Sequence, residues 1–161
     1  MESTKIELAL KSDFNVVDAF KMIDKRGHGS FTQQDLTEGL TQCLGFMEFS
    51  NDDIYLLFRR FDQRNEGLLN FNHFSRMCLP FSREYASLVT DRIDYYSRRT
   101  QDGARYFNAD TRYELQAFFN VLLRTERAME ALRCRLNARQ LFSFHDVFEY
   151  CARSQTGIIL A

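Results

Sequence analysis

The chain has 161 residues, of which 45% are hydrophobic and 27% charged, with one proline and seven glycines, proportions that exclude a disordered or collagen-like polypeptide. Its longest apolar run, residues 117–123 with Asn120 inside it, is far short of the ~20 residues that cross a bilayer, so a membrane partner is not expected. The formal charge is −1, split as −3 over residues 1–80 (nine basic, twelve acidic) and +2 over 81–161 (twelve basic, ten acidic), too mild a bias for a nucleic-acid partner.

Residues 1–11 have no apolar signal core and carry an acidic residue, Glu2, directly after Met1, which argues against secretion. Helices are expected near residues 13–23 and 33–44, the latter with Leu36 and Leu40 on one face. A helix over 51–61 follows, capped by Ser50 or Asn51, and another over 71–79 carries Phe74, Met77 and Cys78 inward. Pro80 closes this set. A further helix is expected over 82–99, then a loop containing Gly103. A long helix starts after Asp110 or Thr111, with a stripe of Phe118, Val121, Leu122, Thr125, Met129, Leu132 and Leu136 at the 3.6 period. No segment alternates as a free-standing strand would, so the fold class is all-α, with sheet limited to short loop-to-loop pairings.

Three segments repeat one pattern: residues 20–31 (FKMIDKRGHGSF), 58–69 (FRRFDQRNEGLL) and 148–159 (FEYCARSQTGII). Each has a phenylalanine, an apolar residue three later, a glycine six after that, and an apolar residue two beyond the glycine. The first two positions share a helix face, the glycine permits a turn with positive φ, and the last apolar residue points inward where two such loops pair. These segments resemble EF-hands of the calmodulin-like superfamily. The resemblance covers residues 13–79 as a pair whose loops start 38 residues apart, at Asp24 and Asp62, plus 141–161 as the front half of a third hand. It implies a degenerate EF-hand pair over 1–80 and a helical region over 81–161 with the long helix and the incomplete hand. A lone half-hand leaves its loop strand unpaired, so the 161 residues are expected to be part of a longer chain, or to receive the missing half from elsewhere.

A calcium loop needs oxygens at positions 1, 3, 5, 7 and 9 and a bidentate glutamate at 12. The first loop has Asp24, Arg26, His28, Ser30, Thr32 and, at position 12, Asp35. The second has Asp62, Arg64, Glu66, Leu68, Asn70 and His73. The third opens on Ala152, followed by Ser154 and Thr156. No cofactor is therefore expected. If any loop holds Ca²⁺ or Mg²⁺ it is the first, through Asp24, the Ser30 carbonyl, Thr32 and Asp35.

Other chemistry is not supported by the sequence. Cys43, Cys78, Cys134 and Cys151 have no metal or redox spacing and read as buried thiols in a reducing compartment. His28, His73 and His145 form no H-E-x-x-H or similar arrangement, so no enzyme is expected. Sixteen phenylalanines against five methionines suit a rigid interior rather than an adaptable groove. If the hands do open a groove for an amphipathic helix, Phe20, Met22, Leu40, Phe58, Met77 and Phe81 line it. Arg124, Arg127, Arg133 and Arg135 on the long helix could instead meet an acidic cytoskeletal surface. The resemblance thus implies a non-catalytic structural or adaptor protein that binds other proteins in the cytoplasm, in a cytoskeletal or ciliary (microtubule) assembly. The alternatives are a calcium or magnesium sensor of the calmodulin type and the regulatory domain of a larger enzyme.

Overall fold

The computed structural model describes residues 1–45, 49–92 and 107–152. Along them run α1 (Glu2–Leu10), α2 (Val16–Ile23), β1 (Ser30–Phe31), α3 (Gln33–Leu44), α4 (Asn51–Phe61), β2 (Leu69–Asn70), α5 (Phe71–Cys78), α6 (Arg83–Thr90), α7 (Ala109–Asn137) and α8 (Phe144–Cys151). The fold is all-α, with one two-stranded antiparallel pairing of Ser30 with Asn70 and Phe31 with Leu69. The expected helix beyond Arg92 and the Gly103 loop lie outside the described residues, as does the third loop after Ala152.

Local chemistry sets the helix starts. Asn15, Thr32, Ser50 and Asn70 all sit in extended conformation, and each side chain accepts the backbone N–H three residues on, satisfying one of the orphan donors of a first turn. Three of these caps are reciprocal boxes closed by Asp35, Asp53 and His73. The second helix begins at Val16, later than the expected 13, because Asn15 takes the cap and Asp13 turns away to accept the Asn108 N–H at 2.7 Å. The long helix begins at Ala109, before either expected cap. Asn108 Oδ1 accepts the Thr111 N–H at 2.8 Å, and Thr111 is a buried first-turn residue whose hydroxyl donates to Asp13.

The chain divides into two compact units, residues 1–127 and 128–161. In the first, the side chains of both hands join one core with Leu115, Phe118, Phe119, Leu122 and Leu123 of α7. The unit therefore runs past the 80/81 boundary drawn from the sequence, because those five residues fill the same interior as Leu36, Leu40 and Ile54. Polar contacts tie the same stretch of α7 to α4: Arg127 Nε donates to Asp53 Oδ1 at 2.7 Å, and Arg60 pairs with Glu126. Helix α1, absent from the expected elements, packs on α6 and buries Leu8 and Ala9. Lys5 Nζ donates to the Leu79 carbonyl at 3.1 Å, and burial lowers the Lys5 pKa.

The second unit has little interior. Residues 131–141 are exposed at every position, and α8 buries none of its eight residues. The apolar stripe of α7 is thus half covered: Phe118 and Leu122 are buried, whereas Met129, Leu132 and Leu136 are exposed. Cys134 and Cys151 are exposed too, unlike half-buried Cys43 and buried Cys78. The expectation of four buried thiols fails for these two, which lie in the exposed segments 131–141 and α8. Burial raises the Cys43 thiol pKa and pushes that of Cys78 up to about 12.

Candidate functional site

The two complete loops are built alike. Asp24 and Asp62 terminate their helices with the same backbone turn, φ/ψ −78/67 and −86/76, each N–H returning to the phenylalanine four residues earlier at 2.8 and 2.7 Å. Each carboxylate then accepts two loop amides. Asp24 takes His28 N–H at 3.0 Å and Gly29 N–H at 2.7 Å, and Asp62 takes Glu66 N–H at 3.0 Å and Gly67 N–H at 2.7 Å. The sixth-position glycines have φ of +75° and +71°, a conformation an L side chain adopts only under strain. Two residues further on, Phe31 and Leu69 are fully buried and face each other in the strand pair. Ala152, at the head of the third loop, repeats the turn with φ/ψ −83/68 and an N–H returned to Phe148 at 2.8 Å.

Family comparison agrees with this geometry: residues 14–79 match the model described as an EF-hand domain pair. That stretch is thus an EF-hand pair of the calmodulin-like kind, and the match does not extend to the residues after 79. Comparison with curated proteins gave no match. EF-hand domains are calcium-binding or regulatory modules and are generally non-catalytic.

The side chains at the ligand positions depart from the calcium pattern. At position 12 a glutamate would give two oxygens. Asp35 instead has Oδ2 engaged by the Thr32 N–H at 2.9 Å and the Thr32 hydroxyl at 2.7 Å, bonds that hold its pKa below the ordinary carboxylate value. In the second loop this place belongs to His73, whose Nδ1 accepts the Asn70 N–H at 3.4 Å. Position 3 is arginine in both loops, and Arg64 lies 3.8 Å from the position-5 carboxylate of Glu66. Among the described residues no three His, Cys, Asp or Glu side chains converge as a metal site.

The expected groove residues are mostly interior. Phe20, Met22, Leu40, Phe58 and Met77 are buried in the core of the first unit. Phe20 and Phe58, equivalent positions of the repeat, meet through Phe31, with ring centroids 5.6 and 6.0 Å from it. Presenting them to a partner would require the pair to open. Phe81 alone of the six lies on the surface, its N–H donated to Glu2 at 2.7 Å and its ring 5.5 Å from the Lys5 ammonium. Of the four arginines, Arg127 is committed to Asp53 and Arg133 lies 3.1 Å from Glu130, while Arg124 and Arg135 are exposed. Sequence reasoning missed Asp53 and Glu126, the buried acids that hold α7; the Ser50/Asp53 capping spacing marked the first, and nothing marked the second. Among the described residues no helix is long and apolar enough to cross a membrane.

Proposed function

We propose that the chain is a non-catalytic protein-binding module in which an EF-hand pair holds one conformation without an ion. One observation carries this reading. Both loops keep every feature that shapes the turn, namely the first-position carboxylate on two amides, the sixth-position glycine and the paired eighth residue, while the ligand positions hold arginine, histidine and a carboxylate spent on a helix cap. With no ion to gain or lose, these loops have no differential affinity with which to move the pair between states. The side available for binding is the apolar and arginine-bearing surface after residue 127, where Met129, Leu132 and Leu136 are exposed beside Arg133 and Arg135. A cytoskeletal or ciliary assembly with an acidic face is the setting that this arginine surface and the superfamily resemblance suggest.

Calorimetry with millimolar Ca²⁺ and Mg²⁺, alongside far-ultraviolet circular dichroism and binding of a hydrophobic dye, tests the reading. The expected result is no saturable heat and no change in helicity or dye signal. A micromolar calcium isotherm with exposure of apolar surface would establish the sensor reading instead.

A further inference from the structure

The second unit poses a stability problem. Its eight-residue helix α8 buries nothing, and the end of α7 beside it is exposed all round from Ala131. Isolated helices shorter than ~12–15 residues are marginal in water. Phe144, Val147, Phe148 and Tyr150 are all exposed, as are Met129, Leu132 and Leu136. That is far more clustered apolar surface than a small monomeric unit ordinarily shows.

The two faces are complementary. On α7, Met129, Leu132 and Leu136 recur at alternating three- and four-residue steps, the spacing of a helix-pairing seam, and Arg133 and Arg135 occupy the flanks. On α8, Phe144, Val147, Phe148 and Cys151 share one face at i, i+3, i+4 and i+7. Its charged residues are Asp146 and Glu149, the latter 3.2 Å from His145 Nε2, and the helix has neither lysine nor arginine. The α7 end carries Glu130, paired with Arg133 at 3.1 Å, and two arginines, so pairing it with another α7 end sets net positive charge against net positive charge. Pairing it with α8 sets carboxylates beside guanidiniums and apolar side chains between them. Among the described residues no side chain covers either face: Met129, Leu132, Leu136, Phe144, Val147 and Phe148 are all exposed.

We infer that two copies of this chain associate about a two-fold axis, α8 of each lying along the exposed end of α7 of the other. Reciprocal exchange of one short helix uses each face once and closes, which limits assembly to a dimer. The inference rests on the reading that residues after 127 are the binding surface, and names its occupant.

Sedimentation equilibrium of the full chain tests it. The mass rises from 19.0 kDa towards twice that value as concentration increases through the micromolar range. Leu132→Glu and Phe148→Glu each raise the dimer dissociation constant at least about tenfold. Neither side chain belongs to the core of residues 1–127, so the thermal transition of that unit is unchanged. Charge exchange checks the pairing: R133E/R135E and D146R/E149R each weaken self-association, and mixing these two variants restores dimers, each copy now meeting its opposite. A single 19.0 kDa species at every concentration, which includes closure of α8 on its own α7, overturns the inference. So does a dimer indifferent to all four variants. A dimer forming only with calcium would leave this pairing standing and remove the ion-independent reading above.

Discussion

Replacing Arg127 with methionine isolates the contact that fastens α7 to the second hand. Arg127 donates through Nε and a terminal nitrogen to the two oxygens of Asp53, a carboxylate whose side chain is 3% exposed. Asp53 also accepts the Ser50 N–H at 2.8 Å and hydroxyl at 2.9 Å, so the variant keeps the helix cap and loses the charge partner. The Arg127 hydrogen bonds, opposed by burial and helped by the Ser50 donors, bring the Asp53 pKa from 3.8 down to about 2. That depression caps the contribution at ~2.5 kcal/mol. The Arg127 side chain is 57% exposed, and solvent screening reduces the value to about 1–1.5 kcal/mol. Because the folded pKa lies below the unfolded one, this stability is complete above pH ~4 and disappears as pH falls towards ~2. Urea unfolding of both proteins near neutral pH and through the acid range measures it. The parent is expected to be more stable by about 1–1.5 kcal/mol at neutrality, with the gap narrowing in acid as Asp53 protonates. Equal stability at neutral pH, or a gap that ignores pH down to ~2, would refute the assignment.

Gly39→Ala tests the closeness of α2 and α3: an added Cβ would lie 3.1 Å from the Ile23 Cα. Thermal melting is expected to show a net loss of about 1–2 kcal/mol, overpacking outweighing the gain in helix propensity. Phe31→Ala removes the ring that Phe20, Phe58 and Phe74 all contact, and chemical denaturation should register a cost of about 3–5 kcal/mol. Rebuilding the first loop as R26D/D35E supplies the third-position carboxylate and the longer twelfth-position side chain. Calorimetry is then expected to show calcium binding tighter than millimolar, and silence would mean that these two residues are not what the loop lacks.

The hands were legible because their signals are local and repeated. A phenylalanine one helical turn before the loop, a glycine at its sixth position and an apolar residue at its eighth are all properties of short segments, and the structure uses each for the purpose its chemistry suggests. Helix α1 was not legible. It has no side-chain cap, and its burial of Leu8 and Ala9 depends on α6, some 70 residues away, which no window on the first eleven residues reveals. The same holds for the six groove candidates. Periodicity identified Phe20, Leu40 and Met77 as members of an apolar face, but whether such a face opens to a partner or closes on α7 depends on Leu115, Phe118 and Phe119. The stripe on α7 misled in the opposite sense: one period runs from Phe118 to Leu136, yet packing follows it only as far as Leu122, because the core of the first unit ends there.

The loops show which features of an EF-hand turn do not depend on an ion. The first-position carboxylate has two tasks, accepting amides at the fifth and sixth positions and coordinating an ion, and only the second needs positions 3, 5 and 12. Asp24 and Asp62 perform the first task with matching bond lengths, so these loop amides are paired within the turn itself. The strand pair through Phe31 and Leu69 joins the two loops independently of any metal. Position 12 also has a second use, as the third residue of the exiting helix, and there a shorter carboxylate or an imidazole suffices to close the capping box, as Asp35 and His73 do. The residues at position 12 therefore keep both helix starts hydrogen-bonded whether or not an ion is held.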